Sequence, residues 1–197
     1  MKKTLFLLSG LVISLATTAQ VKTPALSPKA EIEQVVGLTE VKVEYYRPSL
    51  RGRDMHKDIL PGEGMWRFGA NKNTTISFDT EVNFGGTDVK AGTYSMYALA
   101  GEKEWTITLY DATDSWGLPE EWDAKKVVAE VAVPVKKSKD KVETFTISFD
   151  NLDVNHFDLV VEWENTLLPL KVKLPTKDLT VASIKETMKG KPTSRDY

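Results

Sequence analysis

Apolar and polar residues alternate with a period of two along most of this chain. Val41, Val43 and Tyr45 alternate with Lys42 and Glu44, and Ile76 and Phe78 repeat the pattern. Trp105, Ile107 and Leu109 alternate with Thr106 and Thr108. Val127, Ala129, Val131 and Val133 follow, then Phe145, Ile147 and Phe149. Phe157, Leu159, Val161 and Trp163 face one way while Asp158, Glu162 and Glu164 face the other; Leu168, Leu170, Val172 and Leu174 alternate with Lys171 and Lys173. Each stretch reads as a half-buried strand, apolar side inward. Many such strands separated by turn residues predict an all-β fold, an antiparallel β-sandwich or jelly roll. A two-residue turn at Asn165-Thr166 would pair Trp163 with Leu168, Val161 with Leu170, Leu159 with Val172 and Phe157 with Leu174, with Asp158 meeting Lys173 on the far face. Pro169 cannot donate to a ladder, so its strand should lie at an edge or carry a bulge there.

Near the C-terminus the period changes. Val181, Ile184 and Met188 fall on one helical face, Lys185 and Lys189 complement the helix dipole, and Gly190 with Pro192 gives a stop signal. The expectation is a short helix closing one end of the sandwich. At the other terminus, Lys2 and Lys3 precede an apolar run from Leu5 to Ala16, and Thr17 and Ala19 satisfy the small-residue rule for cleavage before Gln20. The run is too short to span a bilayer comfortably. The expected organisation is therefore a signal peptide over 1–19, an extended lead-in over 20–29, a β-sandwich over 30–175, and a helix with a tail over 176–197. The mature protein should be periplasmic or secreted, with no membrane anchor left after cleavage.

Composition narrows the chemistry. There is no cysteine, which removes disulfides, thiolate nucleophiles and thiolate metal sites. The formal net charge of −2 disfavours nucleic acid as a partner. No nucleophile elbow or phosphate-binding loop occurs. The two histidines, His56 and His156, supply little for acid–base work or metal binding, and His156 reads as a turn residue. Glu162 and Glu164 share the outward face of one strand, where solubility is their ordinary role. Asp111 and Asp114 lack the ligand pattern of a calcium loop. No metal and no cofactor are expected.

Residues 47–73 break the alternation but keep Met55, Ile59, Leu60, Met65, Trp66 and Phe68, so they form an ordered long loop, a usual place for function. The chain has five arginines against 21 lysines, and Arg47, Arg51, Arg53 and Arg67 all fall in this loop. Arginine's permanently charged planar fork suits carboxylate, phosphate or sulfate. Such residues serve either as loop clamps paired with Asp, Glu or backbone carbonyls, or as ligand contacts; Arg47, directly after a strand and before Pro48, is the expected clamp, one whose removal would strand a buried carboxylate. A second feature, Trp116-Gly117-Leu118-Pro119-Glu120-Glu121-Trp122, offers rings that either cover the end of the core or stack on sugars.

The segments YRPSLRGR at 46–53, WRFGANKNTT at 66–75, AGTYSMYAL at 91–99 and GEKEW at 101–105 resemble a bacterial family known only as domain of unknown function 2911. The resemblance runs from about Ser27 to Trp163. It implies an exported protein of Bacteroidota-type bacteria with no established activity, and it carries over no catalytic residue. Asp54-Met55-His56-Lys57 stands where similar proteins tend to have an aromatic residue and Gly-Gly, and Ala100 stands where a proline is frequent. The functional expectation is an extracytoplasmic domain binding a small anionic or sugar-like ligand, a small molecule or glycan, through Arg47, Arg51, Arg53, Trp66, Arg67, Asn71 and Tyr94. The alternatives are a hydrolase of envelope or polymeric carbohydrate, with His56 or a carboxylate as base, and a structural envelope protein whose arginines clamp the loop. A cavity lined by arginine, tryptophan and asparagine favours binding; a histidine or carboxylate in it favours catalysis.

Overall fold

A computed structural model describes residues 23–190; the expected signal peptide and the end of the tail lie outside the described residues. Among the described residues, eleven strands form two antiparallel sheets. The larger sheet runs β1 (Lys29–Val36), β2 (Thr39–Tyr46), β4 (Thr75–Phe78), β7 (Gly92–Ala100), β8 (Glu104–Tyr110) and β9 (Val127–Pro134), with the two-residue β3 (Met65–Trp66) also pairing with β7. The smaller sheet runs β10 (Lys136–Asp153), β11 (His156–Lys173), β5 (Val82–Phe84) and β6 (Thr87–Val89). The fold is a β-sandwich, and its core is made of the inward residues the alternation marks: Val41, Val43, Tyr45, Ile76, Trp105 and Ile107 from one sheet, Phe145, Ile147, Phe157, Leu159, Val161 and Trp163 from the other. Strand β7, buried on both faces over Tyr94–Ala98, does not alternate and is the centre of its sheet. β1 is the edge next to β2 and shows only a weak half-buried alternation, so the sequence pattern missed it.

Tyr45 stitches the two sheets directly. Its hydroxyl donates to the carbonyl oxygen of Ile147 at 3.2 Å and accepts from the Ile147 N–H at 3.1 Å, and its ring meets Phe145 edge-on at 5.9 Å. This satisfies a buried polar tip while the ring contributes apolar burial.

The expected turn at Asn165-Thr166 does not exist. β11 runs straight through it, and the register against β10 slips on either side of Val142 instead. Glu164 takes a φ of 54°, and across it the inward side chains change from odd to even positions: Phe157, Leu159, Val161 and Trp163 before it, Thr166, Leu168, Leu170 and Val172 after it. A reversal of parity in an alternating pattern is produced equally by a hairpin and by an irregular residue inside one strand. Pro169 falls between the last residue paired to β10, Leu167, and the first paired to β5, Val172, so no ladder bond is asked of it. Asp158, expected on the outer face opposite Lys173, is instead buried beside β10, accepting a hydrogen bond from Asn151 Nδ2 at 2.7 Å.

The C-terminal helix α1 (Thr176–Lys189) forms as expected but does not close the sandwich. None of its residues is buried, and Val181, Ile184 and Met188 stand more than a third exposed. Three apolar residues among lysines and threonines are too sparse a stripe to require burial. Its first residue, Thr176, hydrogen-bonds through Oγ1 to the carbonyl oxygen of Val154 against Gly37.

Replacing Leu168, Leu170 and Val172 together by serine should remove the apolar side chains that the parity reversal turns inward. At about 1.5–3 kcal/mol for each apolar side chain lost from the core, the loss is comparable to the whole stability of a typical domain. The expected outcome is loss of a cooperative melting transition by circular dichroism; a melt close to that of the parent chain would contradict this account of the strand.

Candidate functional site

The long loop is organised by one aromatic residue. Trp66, on β3, stacks on Trp163 of the opposite sheet (5.6 Å, 14° between planes) and meets Phe145 at 5.2 Å and Trp105 at 5.8 Å edge-on. Phe68 joins the same cluster, 5.8 Å from Trp66. With Trp66 and Phe68 both directed into the core, the residue between them, Arg67, is left on the outer side. The turn that allows this places Phe68 at φ 53° and Asn71 at φ 56°, left-handed conformations that a bulky residue adopts only under tertiary constraint. Between them Gly69 packs where a Cβ would stand 2.9 Å from Thr74 Oγ1 and 3.0 Å from the Tyr46 carbonyl oxygen.

The loop's first half is tied to the smaller sheet. Leu50 N donates to Glu143 O (2.9 Å), Phe145 N donates to Pro48 O (2.9 Å), and Ser49 bridges Thr144. A single π-helical turn, Met55–Ile59, follows. Asp54 caps it by accepting from Lys57 N at 3.0 Å, and that bond holds the Asp54 carboxyl below its ordinary pKa. Glu164, the irregular residue of β11, accepts from Met55 N (3.3 Å) and pairs with Lys141 Nζ (3.4 Å). The departure from alternation in β11 therefore delivers a carboxylate that anchors the loop.

The four arginines have different tasks. Arg47 reaches back along β10: Nε donates to Phe145 O (2.9 Å) and a terminal nitrogen to Thr146 Oγ1 (2.6 Å). It is a clamp, but onto a carbonyl and a hydroxyl rather than the buried carboxylate that was expected. Arg51 donates to Leu26 O (2.6 Å), Arg53 to Leu50 O and Ser49 O (2.9 Å each), and Arg67 to Asn71 O (2.8 Å). Each of these three guanidiniums is held by neutral carbonyls and keeps unused N–H donors from its five. Among the described residues no guanidinium lies within ion-pair distance of a carboxylate.

Two adjoining clefts open here. One, of about 510 Å³, has Arg53, Arg67 and Asn71 as polar groups over an apolar floor that includes Trp66, Ile59 and Leu118. The other, of about 410 Å³, is lined by Leu26, Ser27, Ser49, Arg51 and Arg53. They share Ser27 and Arg53, and the Leu26-Ser27-Pro28 segment is held between them by bonds from Arg51, from Asn71 Nδ2 (3.2 Å to Ser27 O) and from Arg47 N (3.0 Å to Pro28 O). Neither lining contains a carboxylate or an imidazole. Of the residues singled out in the sequence, Arg51, Arg53, Trp66, Arg67 and Asn71 line these clefts. Arg47 and Tyr94 do not: Tyr94 is buried, its hydroxyl donates to Lys90 O at 2.9 Å, and burial raises its pKa. His56 is outside both linings.

Sequence reasoning missed the part played by the 111–123 segment. Gly117, at φ 100°, lies against the Arg67 guanidinium, with a Cβ position 3.2 Å from its central carbon, and Leu118 enters the larger cleft. The segment is fastened from below by buried Asn73, whose Oδ1 accepts from Gly117 N (2.8 Å) and whose Nδ2 donates to Tyr97 Oη (2.5 Å); Tyr97 in turn donates to Gly117 O (3.3 Å). Burial pushes the Tyr97 phenol above its usual pKa, which keeps it a donor. Trp122 packs on Tyr110 at 4.5 Å, whereas Trp116 is 71% exposed. Among the described residues no group of three or more acids and histidines could hold a metal, and no described helix is long and apolar enough to cross a membrane.

These differences predict unequal stability effects. Arg47→Met removes two charge-assisted bonds to part-buried acceptors and should cost about 1.5–3 kcal/mol. Arg51→Met, at an exposed position beside another cation, should stay within about 0.5 kcal/mol of the parent. Denaturant melts of the two variants check this, and equal losses would contradict the division into clamp and cleft residues.

The family model described as "Protein of unknown function (DUF2911)" matches residues 27–172, the span that holds both sheets, the arginine loop and the Trp116–Trp122 segment. No curated protein and no solved structure matches the chain. The match covers most of the sequence, and the chain belongs to this family of unknown function.

Proposed function

We propose that this chain is an exported binding domain that takes an anionic small molecule in the arginine-lined clefts. One observation carries the reading: the guanidiniums of Arg51, Arg53 and Arg67 are fixed by neutral carbonyl groups, keep spare donors and, among the described residues, have no carboxylate within ion-pair distance, the nearby Glu143 carboxylate being bonded to the Arg51 backbone N–H instead. Here three like charges line adjoining clefts whose linings hold no carboxylate. An anion entering between them gains charge-assisted and bidentate hydrogen bonds in a partly desolvated setting. The cleft volumes fall in the range of small-molecule sites, and the apolar floor with few polar groups is their usual composition. Because neither lining offers a general base, binding is favoured over the hydrolase reading. The export half of the proposal rests on the N-terminal pattern of Lys2-Lys3, the run to Ala16 and Ala19; a secreted mass beginning at Gln20 supports it and a mass retaining residues 1–19 removes it.

Calorimetric titration with sulfate and with citrate tests the binding half. Binding should be saturable, weaken as ionic strength rises, and fall by about tenfold or more in Arg53→Met and in Arg67→Met, while Arg47→Met retains it. No saturable binding of either anion, or equal binding by all three variants, would overturn the proposal.

A further inference from the structure

The arginine clefts and the exposed Trp116 belong, we infer, to one extended site for an acidic glycan, a chain of sugar rings bearing carboxylate or sulfate groups. The inference rests on the anion-binding reading and narrows its ligand class. Its first support is extent. The two clefts are joined at Arg53 and Ser27, and each is far larger than a single carboxylate or sulfate. With Arg51 in one, Arg67 in the other and Arg53 at the junction, a ligand that used all three would carry more than one negative group along its length.

The second support is Trp116. Trp116 is 71% exposed, so most of its ring is accessible to a ligand. It does not stand on a loose tip: its neighbour Gly117 is bonded on both its N–H and its carbonyl to the Asn73–Tyr97 pair, and a Cβ on that glycine would stand 3.2 Å from the central carbon of the Arg67 guanidinium. The next residue, Leu118, lines the larger cleft. Trp116 thus stands outside both cleft linings, next in the chain to the glycine that packs on a cleft arginine. Apolar ring faces stack on the C–H faces of sugar rings, and guanidiniums take carboxylate or sulfate in bidentate fashion. A chain of acidic sugars presents both surfaces in alternation. A neutral sugar would leave the arginines without a counter-charge, and a compact inorganic anion would leave Trp116 and the apolar floor unused.

The test is titration of the full mature chain with a short oligogalacturonate, its fully methyl-esterified neutral counterpart, a heparin-derived oligosaccharide and citrate. At least one of the two acidic oligosaccharides should bind about tenfold or more tighter than citrate and the esterified chain should not bind; binding of the oligogalacturonate shows that carboxylates suffice, and binding of the heparin fragment alone shows that sulfate is required. Trp116→Ala, a change at an exposed position, should weaken that oligosaccharide by about tenfold and leave citrate affinity as it was. If citrate binds as tightly as both oligosaccharides, or Trp116→Ala leaves the oligosaccharide affinity unchanged, the glycan inference falls while the anion-binding reading stands. If no anion binds at all, both fall together.

Discussion

Trp66 sits where the two sheets, the long loop and the clefts meet, and most of what is distinctive about this sandwich follows from burying it. Its ring is stacked on Trp163 of one sheet and set edge-on to Trp105 of the other, with Phe145 and Phe68 completing the cluster. A fully packed tryptophan of this kind contributes about 3–5 kcal/mol, a large part of a domain's net stability. That energy offsets what the loop around it costs: left-handed backbone at Phe68 and Asn71, about 1–3 kcal/mol each, and a cluster of like charges at Arg51, Arg53 and Arg67. The loop need not be stable by itself, because its anchor is part of the core.

The same anchoring sets the chemistry of the surface. Pleating puts Met65 and Arg67 opposite Trp66, and the left-handed turn at Phe68 returns the chain to the core at once. Arg67 has little freedom left, with Asn71 O in front of one nitrogen and Gly117 against its plane. Arg53 is similarly fixed by two carbonyl groups of its own loop. Guanidiniums held by carbonyl oxygens remain fully charged toward solvent, whereas those held by carboxylates would be neutralised. All four arginines are held by neutral groups, so what distinguishes a receptive one from a clamp is whether it lines a cleft. Arg47 makes the contrast within the same loop: its nitrogens are directed along β10, away from the clefts.

Much of this was legible in the residues. The alternation around Val41–Tyr45, Trp105–Leu109 and Phe157–Trp163 is a direct consequence of one-face burial, so the sheets could be read without coordinates. The loss of alternation after Tyr46, with arginine concentrated there in a lysine-rich chain, located the loop and most of the cleft residues. The turn at Asn165 could not be separated from a strand irregularity, because both reverse parity; the deciding contacts, Glu164 to Met55 and to Lys141, lie far apart in sequence. Burial of Asp158 depends on Asn151 across the β10–β11 pair, and the place of Gly117 beside Arg67 depends on Asn73 and Tyr97 beneath it. None of these pairings leaves a periodic trace. Tyr94 was drawn into the expected site by its motif, but its hydroxyl is bonded to Lys90 within its own hairpin.

The claim on which everything functional depends is that three arginines are open to an anion and the fourth is not. The side-chain Nε–Hε resonances of this chain are few, since it has five arginines in all, and can be followed individually by NMR during a sulfate titration. Saturable shifts at Arg51, Arg53 and Arg67, with Arg47 unmoved behind its bond to Phe145 O, are the result expected. Uniform small shifts at all five, or a response confined to Arg47, would contradict it.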